Sequence, residues 1–211
     1  MYKSLFTEQY KPQSYETSAY LGKTSLFDVL NYKDAVDVLF IGDSHTDRAD
    51  FYTMFNGMQV VSQGIGGDTS KGLLNRINKT KGFNPKVIVI EIGVNDLIQG
   101  APVEEVVENY QLLIDGMKTI HPSSTIVIET IYPVTRSFEE NDAFKVTCTN
   151  IRKVNAALKN IADERGLELI DTYTMLEDEN GYLKEEYTCD GLHLTGNAYM
   201  KLQGEIQKIL N

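Results

Sequence analysis

Val36-Asp37-Val38-Leu39-Phe40-Ile41-Gly42-Asp43-Ser44-His45 decides the architecture of this chain. β-branched and aromatic side chains dominate its first six residues, which then stop at a glycine and a run of small polar residues. That is how a strand ends in a turn. Val38-Leu39-Phe40-Ile41 is continuously apolar rather than alternating, as a strand covered on both faces requires. Val87-Ile88-Val89-Ile90 repeats the pattern. Val36–Ile41, Val60–Ser62, Val87–Ile92, Thr125–Thr130 and Leu167–Ile170 read as short strands.

Helical segments separate them. Across residues 103–120, Val103, Val106, Val107, Tyr110, Leu113, Ile114, Met117 and Ile120 keep the helical period. Pro102 suits the first helical position, and Glu104 and Glu105 suit the positive end of the dipole. A second helix puts Ile151, Val154, Leu158, Ile161 and Ala162 on one face, with Gly166 as its stop. A last helix, capped near Thr195, buries Ala198, Leu202, Ile206 and Ile209. This alternation predicts an α/β fold, a parallel sheet covered on both faces, as one domain over residues 1–211. Residues 1–30 read as a strap or short helix on the edge of a core spanning 36–211, and residues 133–145 as a long loop.

Thirty acidic residues against twenty Lys and Arg leave a net charge of −10, which repels a phosphate backbone and excludes nucleic acid as the expected partner. No apolar run is long enough to span a bilayer. The N-terminal residues show no apolar signal segment, and Cys148 and Cys189 fit buried thiols in a reducing compartment, so a cytoplasmic protein is expected. Oligomeric state is left open, a homodimer included.

In a doubly wound sheet, ligands sit outside the C-terminal ends of the strands, so the residues following each strand carry the information. They are Gly42-Asp43-Ser44-His45, Gly64-Ile65-Gly66-Gly67-Asp68-Thr69, Gly93-Val94-Asn95-Asp96 and, before the last helix, Cys189-Asp190-Gly191-Leu192-His193. A serine hydroxyl becomes a nucleophile when a base takes its proton, and His193 can serve Ser44. Asp190, three residues before His193, can fix the tautomer of the imidazole from the same turn. A tetrahedral intermediate needs donors for its oxyanion, and the backbone N–H groups of Ser44 and Gly67 with the Asn95 amide are the candidates.

These blocks, in this order over residues 36 to 200, resemble the SGNH (GDSL) hydrolases, and Gly-Ile-Gly-Gly-Asp-Thr resembles the platelet-activating-factor acetylhydrolase-like branch. The resemblance implies Ser44, Asp190 and His193 as a triad, and Ser44, Gly67 and Asn95 as an oxyanion hole. It also implies a flavodoxin-like, five-stranded parallel sheet of order 2-1-3-4-5 in a three-layer α/β/α arrangement. His45 stands where family members often carry an apolar residue. With Tyr132 and Arg136 it is assigned to the substrate mouth, a structural role being the other reading of His45.

Competing readings fail on residue count. Asp-x-His at Asp43–His45 suits a metal-dependent phosphoesterase, but only His121 and His193 remain as further histidine ligands. Thr69 replaces the third glycine of a dinucleotide fingerprint. Asp68 and Thr69 read as a helix cap, Asp43 and Asp96 as hydrogen-bonding partners of loop backbone, and Cys189 as buried and inert. The expected chemistry needs no cofactor and no metal. It is hydrolysis of acetyl or short-chain acyl esters, O-acetyl groups on carbohydrate first, with an acyl-thioesterase or a lysophospholipase-like lipid esterase as alternatives.

Overall fold

The computed structural model describes residues 16–30 and 35–210; the expectation for residues 1–15 lies outside the described residues. The strands are β1 (Ala35–Gly42), β2 (Val60–Gly64), β3 (Asn84–Glu91), β4 (Thr125–Glu129) and β5 (Glu168–Ile170). They form one five-stranded sheet of order β2-β1-β3-β4-β5 in which every pairing is parallel. The helices in chain order are α1 (Ser18–Val29), α2 (Ser44–Arg48), α3 (Phe51–Met54), α4 (Ser70–Arg76), α5 (Val94–Ile98), α6 (Val103–Ile120), α7 (Arg136–Glu139), α8 (Cys148–Arg165), α9 (Thr172–Leu176) and α10 (Gly196–Leu210). This is the flavodoxin-like arrangement.

The period of two along each strand divides the core between the two faces. Leu39, Ile41, Ile88, Ile90, Ile126 and Ile128 pack with Leu73 of α4, Tyr110 and Leu113 of α6, and Val154 and Leu158 of α8. The intervening Val38, Phe40, Val87, Val89 and Val127 pack with Phe51 of α3 and Ile206 of α10. Phe40 stacks on Phe51 with ring centroids 3.7 Å apart. Each such fully buried side chain contributes roughly 1.5–3 kcal/mol, which is why the apolar strand runs tolerate no polar interruption without a partner.

Helix ends follow local chemistry. Helix α6 occupies residues 103–120 as its periodicity requires, although Pro102 is its N-cap rather than its first residue. Gly166, at φ 61°, supplies the left-handed C-cap of α8. Thr195 does not cap α10 through its hydroxyl: its carbonyl accepts from the Ala198 and Tyr199 N–H groups, while Oγ1 donates to Glu186 O. The expected loop 133–145 contains α7, because Thr135 Oγ1 accepts from Phe138 N and starts a turn. Among the described residues, no helix is long and apolar enough to cross a membrane.

β1 pairs with β2 on one side and β3 on the other, so chain progression reverses beside β1. The crevice created there lies at the ends of those three strands, where Gly42, Gly64 and Glu91 stand side by side in register.

Candidate active site

Asp43 sets the first turn. It is the N-cap of α2, and its Oδ1 accepts from His45 N at 3.0 Å, which makes Ser44 the first helical residue. A first-turn N–H has no intrahelical acceptor, so the Ser44 N–H is open to a ligand. Arg76 of α4 holds this edge together while fully buried. Its Nη2 donates to Gly42 O, its Nη1 to Gln63 O (both 2.9 Å), and its Nε to Asp68 Oδ2 at 2.7 Å. Burial pushes the Asp68 carboxyl up to about 6, against the pull of Arg76.

The turn before α10 is built around a carboxylate. Thr188 Oγ1 accepts from the Asp190 and Gly191 N–H groups, while Asp190 Oδ1 accepts from Leu192 N at 3.1 Å and His193 N at 2.8 Å. Asp190 Oδ2 then lies 2.6 Å from His193 Nδ1, and His193 Nε2 lies 3.0 Å from Ser44 Oγ. Partial burial alone would raise the Asp190 carboxyl. The His193 ring and the two backbone donors outweigh it and hold the group well below the usual carboxylate range. An ionised Asp190 only accepts, so Nδ1 carries the proton and the Nε2 lone pair faces the serine hydroxyl. That arrangement can draw a proton from Ser44 and return it to a leaving group.

The glycine turn lies beside Ser44. Gly66 N donates to Asp47 Oδ2 at 3.3 Å, and Gly67 follows in the left-handed region at φ 78°, exposed to solvent. Asn95, at the start of α5, bridges the turns: its Nδ2 donates to Asp68 O at 2.9 Å and to Asp43 Oδ2 at 3.2 Å. Asp68 and Thr69 act at the head of α4 as expected, Thr69 Oγ1 accepting from Gly72 N. Asp96 accepts from both the N–H and the hydroxyl of Ser70.

The structure thus brings Ser44, Asp190 and His193 into one hydrogen-bonded line, with the Gly67 and Asn95 turns tied to it through Asp68 and Asp43. The residues assigned to the mouth fall elsewhere. His45 and Tyr132 are only 2% and 3% exposed and lie beneath the nucleophile turn, which corrects the placement of both at the substrate mouth and leaves His45 its structural reading. Their polar atoms turn inward, toward Leu192 O for His45 and Glu129 Oε2 for Tyr132. Arg136 is exposed but stacks on the Tyr182 ring at 4.6 Å. It lines a cavity of about 460 Å³ with Asp178, Lys184, Glu185 and Glu186, none of them a member of the hydrogen-bonded line. Cys189 is exposed, contrary to the expectation of a buried thiol, because it sits at the outside of the Asp190 turn; Cys148 is buried.

Glu91 and Glu129 are two further residues of this region that no motif marks in the sequence. Both sit at the ends of apolar strands and both are buried, at 2% and 4% exposure. A glutamate closing Val87–Ile90 or Ile126–Ile128 was the signal, since a buried acid is more informative than the aliphatic run before it. Burial, then the Asp43 charge, raises the Glu91 carboxyl, and burial raises Glu129 to about 7. Donor atoms of Asp43, His45 and Glu91 lie within 4.8 Å of one another. Both Asp43 oxygens already accept hydrogen bonds, and the group is sealed from solvent.

The model of the GDSL-like Lipase/Acylhydrolase family matches residues 40–201. Platelet-activating factor acetylhydrolase IB subunit alpha2 of Homo sapiens is 29% identical over 190 residues, which cover 86% of this chain and 80% of that protein. An N-acylneuraminate cytidylyltransferase of Streptococcus agalactiae is 29% identical over 171 residues, 80% of this chain and 37% of its own length. Among solved structures, one described as a platelet activating factor from Streptococcus pneumonia has a TM-score of 0.83 at 26% identity, covering 92% of this chain and 93% of that one.

Proposed function

Because this chain belongs to the GDSL-like lipase/acylhydrolase family and is a carboxylic ester hydrolase, we propose that it cleaves acetyl or short-chain acyl esters by way of Ser44. The observation that carries this reading is the line from Asp190 through His193 Nε2 to Ser44 Oγ, with its 2.6 and 3.0 Å contacts. Ser44 Oγ attacks the acyl carbonyl as its proton passes to His193 Nε2. The oxyanion accepts from the Ser44 and Gly67 N–H groups and from Asn95. Of the two Asn95 contacts, the 3.2 Å one to Asp43 is the weaker, and that N–H turns to the oxyanion. Collapse expels the alcohol, which takes the proton from His193. Water then attacks the acyl-serine by the same route. No step calls for a cofactor or a metal.

The names of two relatives support the substrate class. One is an acetylhydrolase, and the other, matched over 37% of its own length, is an N-acylneuraminate cytidylyltransferase. An acetyl group on a carbohydrate hydroxyl is therefore the preferred substrate. The experiment is turnover of p-nitrophenyl esters of increasing chain length beside a panel of O-acetylated sugars, with Ser44→Ala as control. The reading expects the acetyl ester to be fastest and Ser44→Ala to be inactive while folded. Preference for a long acyl chain would overturn the substrate class, and turnover retained by Ser44→Ala would overturn the mechanism.

A further inference from the structure

Beneath Ser44 lies a polar layer that the hydrolytic steps leave unused. We propose that His45 is a positioning residue for the Ser44–His193 pair, a buried imidazolium whose ring N–H groups span from the carboxylates of Asp43 and Glu91 to the carbonyl of Leu192. The proposal rests on the Ser44–His193 reading above and adds a residue to it.

The protons follow from the partners. His45 Nε2 lies 3.1 Å from Leu192 O, and a carbonyl only accepts, so Nε2 carries hydrogen. His45 Nδ1 lies 3.4 Å from Asp43 Oδ1 and 3.6 Å from Glu91 Oε2. These are ion-pair distances rather than formed hydrogen bonds, and Nδ1 and both Glu91 oxygens have no other partner. Nδ1 and Glu91 share a single proton between them; the imidazole is the stronger base and faces the Asp43 oxygen as well, so the proton sits on Nδ1 and both acids are satisfied by one N–H⁺. Burial by itself would depress the imidazole. The Asp43 and Glu91 carboxylates outweigh it and hold the ring protonated well above its ordinary range.

Every element packed on this ring contributes. Asp43 comes from the β1–α2 turn, Glu91 from β3, and Glu129 and Tyr132 from β4 and the residues after it. Tyr199 of α10 donates to His45 O at 2.7 Å, and the His193 ring is 5.7 Å away. His45 sits one residue after the nucleophile and grips the residue before the base. It therefore fixes the separation of two turns that no backbone hydrogen bond joins directly among the described residues.

With three histidines in the chain, the ring nitrogens can be assigned by ¹⁵N NMR using single variants. Both His45 nitrogens should read as protonated at pH 7; a neutral tautomer would overturn the proposal. In kinetics on p-nitrophenyl acetate, His45→Leu should lower kcat at least tenfold with KM changed less than threefold. His45→Gln, whose amide reaches the Nε2 position, should recover kcat to within threefold of the parent. A Gln variant no better than Leu, or a Leu variant with the parent's kcat, would count against the role. If His45→Leu does not fold, the ring spectrum of the unaltered protein decides. One equivalent of divalent metal in the purified protein, lost in His45→Gln, would replace the imidazolium by an ion. Failure of the nucleophile reading is separately visible as turnover by Ser44→Ala, which leaves the His45 spectrum unchanged.

Discussion

At the residue scale, two side chains join elements that the backbone alone leaves apart. Arg76 satisfies two carbonyls at the ends of β1 and β2 and pairs with the buried Asp68. Its planar fork matches three acceptors, which a lysine ammonium cannot do. Arg76→Met is expected to destabilise by roughly 3–5 kcal/mol, since it leaves a buried carboxylate unpaired, and denaturant unfolding will read it. Asn95 divides its amide protons between Asp68 O and Asp43. If one of them turns to the oxyanion, Asn95→Ala lowers kcat by roughly 10²–10³. A loss below threefold in steady-state kinetics would take Asn95 out of the hole.

At the scale of elements, α2 seats directly on the end of β2. A Cβ on Gly64 would collide with backbone atoms of Thr46 and Asp47, and neither can swing away as a side-chain tip could. Gly64→Ala should therefore shift α2 and its Ser44, costing about 1–3 kcal/mol in stability by chemical denaturation and more than tenfold in esterase rate. An alanine variant with unchanged kcat would show that α2 is not seated there in solution. Helix α6 was legible to within one residue, because its apolar period is unbroken and its acidic start is marked. The three strand-end blocks were legible for the same reason: glycine and small polar residues stop each apolar run abruptly. The fourth, Cys189–His193, was legible from its Asp-x-x-His spacing ahead of the last helix. Helix α7 was not, since one threonine cap and four residues carry no period. The inward turn of His45 and Tyr132 was also hidden. It depends on Glu91 and Glu129 from other strands, and no local pattern encodes a partner that distant.

At the scale of the whole molecule, the buried acids predict an unusual pH response. Burial raises Asp68 and Asp96 to about 6 and Glu129 to about 7. Each holds a proton more tightly folded than unfolded, so stability falls as pH rises from the ordinary carboxylate range through about 7. His45, raised by its carboxylates, acts in the same sense: its contribution is complete below its unfolded value and is lost as pH rises through the folded one. His121, lowered by burial, opposes the trend, and the net charge of −10 reinforces it. The melting temperature at pH 5.5 should exceed that at pH 8.5 by at least about 4 °C, one to two kcal/mol for a chain of this size. A flat or rising profile would mean that these carboxyls are hydrated in solution.

Hydrolysis by this route requires Ser44 to be the activated hydroxyl. Treating the protein with a fluorophosphonate and locating the adduct by peptide mass spectrometry asks that question without assuming a substrate. One adduct is expected, on Ser44, absent in Ser44→Ala and formed far more slowly in His193→Ala. An adduct on another residue, or full labelling of Ser44 without His193, would contradict it.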